Sequence, residues 1–520
     1  MIRILIFLIT TALVLSPKLN YAQAPKLTKQ RKLALDSIAK QQLKIEYDIK
    51  QKRKEDYAKM EAKFRTPGGI SLQEQKNIYK ERKRKEKALR DSISHIKLDS
   101  IITRIDLSDS TILAFNNGRY FEIPDKILDL HNLDSLSFKS NQLTSLKPQV
   151  FEMANLKNLN VSHNKLEAHN IKISKNESLT SLNLSHNNLT SLPKKLKKLT
   201  LLKRLDLSNN KLGKSTKKIK FKRMKSLEYL RLSYNELETI PKGLHKLPNL
   251  KTLVLFNNSL TSLKGIEKIT SLQELVIGKN IVLPDPRYLA GLTNLENLFM
   301  NNCGLIYLPP EIGQMQSLKK LSMPENRLMS LPPEIGKLKN LENFVVYKNN
   351  LQAVPKELFK LNKLDWLDLY YNNIDYIDES IANLQNLKIL FLSHNNFKEI
   401  PSSIGSMANL EELYAHHNKI AEMVDVSALE KLRVLHLNNN ILTEFPSSVL
   451  KLTQLKELDL SNNMITEFPY EMKNLINLDF IFIDKNQTDR QTMAYEGEKM
   501  AMKELMDLGV NIRFDYPKSN

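Results

Sequence analysis

The chain has 520 residues, 78 of them Lys or Arg and 57 Asp or Glu, and carries a formal net charge of +21 at pH 7. Its single cysteine, Cys303, excludes an internal disulfide framework and any paired-cysteine metal site. No phosphate loop, nucleophile elbow or H-E-x-x-H helix occurs, so the common catalytic motifs are missing as well.

The chain opens with Met1-Ile2-Arg3 and an uncharged run from Ile4 to Leu15, which reads as a secretory signal peptide over residues 1–22. The 12-residue run is too short to span a hydrocarbon core of about 30 Å comfortably. Cleavage is placed after Ala22, because Pro25 disfavours a cut after Ala24, although Asn20 three residues before the cut is an imperfect fit. No cysteine follows the apolar run, which argues against a lipid anchor, and an uncleaved signal anchor is the alternative.

Residues 23–100 form a different segment. Residues 25–100 hold 22 Lys or Arg against 11 Asp or Glu, about half of the excess charge. Thr66-Pro67-Gly68-Gly69 is a breaker, and Ser71 with Glu74 after it has the form of a capping box. Two basic helices are predicted, over 28–64 and 72–98. Their apolar residues (Ile38, Leu43, Ile45 and Ile49, then Ile78, Leu89, Ile93 and Ile96) keep no heptad, so an extended arm or hairpin is expected rather than a sustained coiled coil. The run from Lys80 to Lys87 suits nonspecific attraction to an anionic surface by residues 25–98. Aromatic residues do not interleave with it, so specific nucleic-acid binding is not expected.

Beyond the arm an asparagine keeps time: Asn141, Asn164, Asn187, Asn210, Asn235, Asn258, Asn280, Asn326, Asn349, Asn372, Asn395, Asn418, Asn440, Asn463 and Asn486. The gaps are 23 residues, except one of 25 and two of 22, and Cys303 fills the one missing beat. Each beat closes a pattern such as Leu179-x-x-Leu182-x-Leu184-x-x-Asn187-x-Leu189. A fixed period of this length means stacked units. Period-two alternation around Leu182 and Leu184 predicts a short strand with both leucines on one side. Sixteen such units over 133–486 would set sixteen parallel strands side by side, roughly 70 Å along the arc at about 4.8 Å each. The turn after each strand leaves backbone groups without a sheet partner, and an Asn side chain both donates and accepts. Asn187, Asn258, Asn326, Asn349 and Asn395 are therefore read as rungs of a structural ladder. Cys303, small and tolerant of burial, is read as a substitute rung.

After the turn, Leu308-Pro309-Pro310-Glu311-Ile312-Gly313 and Leu331-Pro332-Pro333-Glu334-Ile335-Gly336 imply a return path that is extended or a single helical turn. Residues 101–132 read as an N-terminal cap with one weak copy, Ile102, Ile105 and Leu107, in which Ser110 takes the Asn place. Residues 487–520 read as a C-terminal cap. There Asp489 to Leu508 is an amphipathic helix carrying Met493, Met500, Leu505 and Leu508, ended by Gly509 and followed by a strand through Val510, Ile512 and Phe514.

The motif L-x-x-L-x-L-x-x-N/C-x-L resembles the leucine-rich repeat family, from about Leu133 to Asn486 in sixteen copies. The L-P-x-x-I half resembles the short repeat class of bacterial proteins and of intracellular Ras-binding scaffolds. The resemblance implies an α/β solenoid, a horseshoe lined by a parallel concave sheet, and recognition by exposed sheet positions. Extracellular animal members usually cap their ends with disulfides. One cysteine cannot do so, and a bacterial exported protein, secreted or periplasmic, fits better. Some bacterial relatives carry a ubiquitin-ligase domain with a catalytic cysteine, but here Cys303 sits on a ladder beat. No enzyme and no cofactor are expected.

Stacking aligns the residues between the strand leucines into a central column: Ser137, Asn160, Asn183 and Asp206 early, then Val254, Val276, Phe299, Ser322, Val345, Asp368, Phe391, Tyr414 and His436. Flanking columns add Phe256, Tyr347, Trp366, Tyr370 and Tyr371. The candidate partner-binding residues are Phe256, Phe299, Tyr347, Trp366, Tyr370, Phe391 and Tyr414, for a protein or peptide ligand. Packing of these rings on one another along the sheet is the competing reading. His394, His416, His417 and His436 fall near one edge of the concave sheet. Because His163, His186 and Asn209 also precede a ladder Asn, a turn preference is read there and no metal site is assigned. The function expected is a non-enzymatic, exported scaffold that binds a macromolecule on its concave face. An intracellular signalling scaffold resembling the Ras-binding repeat proteins is the alternative.

Overall fold

The computed structural model of the protein describes residues 111–213, 221, 224–280, 286–488 and 493–514. These belong to one compact unit spanning Asp91–Asn520. The signal segment, the basic arm and the weak copy from Ile102 to Ser110 lie outside the described residues.

Among the described residues, eighteen strands of three residues each, from β1 (Ile112–Ala114) to β18 (Asn511–Arg513), pair in parallel, each with the next along the chain. The middle residue of each strand points inward. In β12 (Trp366–Asp368), Leu367 lies in register with Phe344 on one side and Leu390 on the other. All three are fully buried. One continuous core of such columns runs the length of an open solenoid, and no repeat closes its core alone. Each buried leucine contributes about 1.5–3 kcal/mol, most of it through contact with neighbouring repeats.

The chain leaves each strand through a bend whose residue before the ladder position has positive φ. This holds from Ser140 at 58° through His163 at 56° and Tyr371 at 56° to Lys485 at 58°. Ser, His, Asn, Tyr, Lys and Glu all occupy that place. The bend is therefore imposed by the fold rather than chosen by residue type, although Asn and His bear it best. Behind the bend the ladder is continuous. Asn187 Nδ2 donates to the carbonyls of Val161 and Leu184 at 3.1 and 3.0 Å, and its Oδ1 accepts the Leu166 N–H at 2.9 Å. Asn349 repeats the set with Met323, Val346 and Leu328 at 3.0, 2.9 and 3.0 Å.

The return path is built of short 3-10 turns such as Pro310–Gln314 and Pro333–Lys337. Pro309 and Pro332 enter them extended, at φ −75° and −72°. Gly336 is required by proximity: a Cβ there would stand 2.3 Å from the carbonyl oxygen of Glu357 on the next repeat. A second asparagine row, which the periodicity reading did not single out, lines the approach to the strands. Asn155, Asn249, Asn294, Asn340, Asn386, Asn409 and Asn477 each donate to the carbonyl 24 residues earlier, as Asn340 does to Gln316 at 2.9 Å.

The ends differ in detail from the sequence expectation. Strand β1 continues the 23-residue beat one step before Asn141, with Gly118 in the ladder place. Asn141 Oδ1 accepts the Gly118 and Tyr120 N–H groups at 2.9 and 3.1 Å. At the other end a helix, Met493–Asp507, packs on the last return turn and is followed by β18. Its buried stripe is Glu498, Ala501, Met502 and Leu505, while Met500 and Leu508 are 57% and 61% exposed. The expected apolar face was thus misplaced at those two residues. Spacing of three and four residues selects the true stripe, and Tyr470 clamps that side by donating to Glu504 at 2.6 Å.

Candidate functional site

In each strand the first and third side chains face out of the concave sheet. Parity of this kind places Trp366 first on β12, Phe391 third on β13 (Ile389–Phe391), Tyr414 third on β14 (Glu412–Tyr414) and His436 third on β15 (Val434–His436). They form a row of touching rings. Centroids are 5.4 Å apart for Trp366–Phe391, 4.5 Å for the stacked pair Phe391–Tyr414, and 5.0 Å for Tyr414–His436.

A second row runs where the strands bend. Tyr347 meets Tyr370 at 6.5 Å, and Tyr370 meets Tyr371 at 5.9 Å, His394 at 5.0 Å and His416 at 6.4 Å. His394 and His417 stack at 4.0 Å. The sequence could name the columns but not these contacts, which depend on rotamers and on the spacing between strands. Ring pairs of this kind are worth about 0.5–1.5 kcal/mol each. Both readings of the aromatic column therefore have a physical counterpart: the rings pack on one another, and each stays half-buried rather than covered. Tyr371 stands out further, at 52% exposed.

The other two candidates sit elsewhere on the face. Phe299 ends β9 (Asn297–Phe299), three strands before β12, in register with Val276 and Ser322. Phe256 follows β7 (Thr252–Val254), where Tyr234 meets it edge-on at 5.7 Å and Lys279 Nζ lies 5.8 Å from its centroid. In the central column Val254, Val276 and Asp368 are buried, so those outward positions offer little contact surface.

Polar groups within the aromatic zone are unusual. Asp368 accepts the Tyr370 N–H at 3.0 Å, and its burial pushes the carboxyl up to about 7. Burial also pushes the Tyr347 phenol up to about 12. Trp366 Nε1 is hidden from solvent and has no hydrogen-bond partner among the described residues. Tyr414 donates to Glu412 at 2.6 Å, and His436 Nε2 lies 3.4 Å from Glu457.

The ladder residues Asn187, Asn258, Asn326, Asn349 and Asn395 are all buried, with partners on two or three repeats. Cys303 is 1% exposed, with Sγ 3.4 Å from the Ile277 carbonyl, and burial pushes its thiol up to about 12. A thiol so placed has neither thiolate character nor access to a substrate. Among the described residues, no helix is long and apolar enough to cross a membrane.

The family model described as leucine rich repeat matches residues 154–212, 214–260, 316–374, 375–420 and 430–487. No curated protein matches the sequence. Among solved structures, a leucine-rich repeat protein of Leptospira interrogans is 28% identical with a TM-score of 0.62, over 81% of this chain and 98% of its own. The Toll–Spatzle complex of Drosophila is similar at 25% identity and TM-score 0.63, over 73% of this chain and 54% of that one. The plant peptide hormone receptor RGFR1, in complex with RGF2, is similar at 26% identity and TM-score 0.57, over 72% and 63%.

Proposed function

The chain belongs to the leucine-rich repeat family, and from that premise we propose that it is a non-enzymatic, exported binding protein. Its concave sheet presents the rings of repeats around β12 to β15 to a protein or peptide. The observation that carries this reading is the pair of half-buried ring rows, Trp366–Phe391–Tyr414 and Tyr347–Tyr370, on adjacent parallel strands. Large rings that are neither covered nor scattered are the usual anchors of a macromolecular interface. The Trp366 N–H, which has no hydrogen-bond partner among the described residues, supports it further. A buried donor without an acceptor costs about 1–3 kcal/mol, a cost relieved when a ligand draws the ring toward a carbonyl. Two solved relatives of this fold, the Toll–Spatzle complex and the peptide hormone receptor, are themselves complexes. Phe256 and Phe299 extend the proposed surface toward earlier repeats. The apolar run Ile4 to Leu15 supports export.

The test combines capture and substitution. Partners retained by the full-length mature chain are identified, and their affinity is compared with that for a Trp366→Ala/Tyr370→Ala variant. Loss of two such anchors is expected to weaken binding about 100-fold or more. The thermal midpoint should move by only about a few degrees. Undiminished affinity in a folded variant would sink the assignment of the surface.

A further inference from the structure

We propose that His394, His416 and His417 form a binding site for a divalent cation of the zinc class, held by imidazole nitrogens at the edge of the concave sheet. One ligand atom from each of the three lies within 4.8 Å of the others. Two of the nitrogens already converge: His416 Nδ1 and His417 Nδ1 are 2.9 Å apart, within hydrogen-bond distance. In a tetrahedral site with zinc–nitrogen distances of about 2.0–2.1 Å, ligand nitrogens stand about 3.4 Å apart. The pair has to open by only about half an ångström for an ion to sit between the two nitrogens. His394 supplies the third nitrogen from the preceding repeat, its ring 5.4 Å from that of His416 and 4.0 Å from that of His417. The stacked His417 ring must turn about its Cβ–Cγ bond to aim a lone pair at the same point. It is the exposed member of the trio and has room to do so.

A turn preference accounts for only part of this arrangement. His394 and His417 occupy the bend with φ of 54°, as His163 and His186 do earlier in the chain. His416 does not; it lies one place before the bend, where nothing in the backbone calls for histidine. His163 and His186 stack at 3.8 Å but gain no third ligand among the described residues, and they form an internal control. The donor set is three neutral nitrogens with no carboxylate, which selects zinc, nickel or copper over calcium or magnesium. The exposed side leaves a fourth position for water. His436, grouped with the others on sequence, is instead drawn to Glu457 and Tyr414 and takes no part.

Titration of the full chain with zinc chloride by calorimetry tests the site, with circular dichroism to verify folding of each variant. One saturable equivalent is expected. His394→Gln, His416→Gln and His417→Gln should each weaken it about tenfold or more, since even outer-sphere substitutions at metal sites cost that much. A His163→Gln/His186→Gln variant should bind as the native chain does. Because His417 is exposed, its replacement leaves the core untouched and keeps the test decisive even if His416→Gln fails to fold. Absence of a saturable equivalent, equal affinity in His417→Gln, or loss in the His163/His186 variant would each overturn the proposal.

Discussion

Asp368 offers a sharp test of how the concave face is built. Its side chain is 4% exposed, and the Tyr370 N–H at 3.0 Å is the hydrogen bond that favours its charged form. Burial raises its carboxyl from an unfolded value of about 3.9 to about 7. Between those values the folded chain holds a proton that the unfolded chain has lost. Stability from this group is therefore fully present below about pH 4, declines as pH rises, and is lost above about pH 7. Three units correspond to about 4 kcal/mol, an upper bound because water penetration relaxes a buried charge. Asp368→Asn keeps an acceptor for Tyr370 and removes the titration. It should therefore stabilise the protein at pH 8.5 by up to about 4 kcal/mol and by almost nothing near pH 4. The assay is urea unfolding followed by the fluorescence of Trp366, the chain's single tryptophan, two residues away. Taking variant minus wild type at each pH cancels all other titrations. A difference independent of pH, or one that grows as pH falls, would refute the account of a charge buried without compensation.

Four further outcomes are expected. Asn349→Ala removes the Nδ2 contacts to the Met323, Val346 and Tyr347 carbonyls and the accepted Leu328 N–H bond. It should cost about 2–4 kcal/mol in urea unfolding, and a cost below about 0.5 kcal/mol would show that the ladder is dispensable. Cys303 should stay unmodified by a thiol reagent at pH 8 in the native chain and react fully in urea, because it is buried and its thiol is pushed up to about 12; rapid native labelling would contradict its inert role. Deleting residues 25–98 should abolish binding to anionic vesicles at low salt, and raising salt should do the same for the intact chain. N-terminal sequencing of the exported protein should begin at Gln23, whereas an intact Met1 would favour the intracellular alternative.

Legibility in the sequence followed the range of the force involved. The asparagine beat was plain because each rung answers a local demand: the bend leaves backbone groups unpaired in the same place every 23 residues or so. The second asparagine row answered the same kind of demand and was equally visible, as Asn340 before Leu341 or Asn386 before Leu387. It sets no regular period because only some repeats carry it. Strand β1 was hidden because Gly118 has no side chain to announce the beat, although Asn141 bonds across to it. The histidines were visible as a group near one edge of the sheet, but not their contacts with one another. Nothing in the order of residues shows that Glu457 draws His436 away while His416 and His417 meet at 2.9 Å.

By itself the sequence determined the architecture and the direction of nearly every strand side chain. Period and parity are properties of the backbone, and they survive any choice of neighbour. Only the tertiary structure decided how far each outward residue stays outward. Val254, Val276 and Asp368 sink below their neighbours, while Trp366, Phe391 and Tyr414 lean together into a half-buried row. That outcome depends on the sizes of residues 23 positions apart in the chain and one strand apart in space. The same separation turned an ordinary aspartate into a carboxyl near 7.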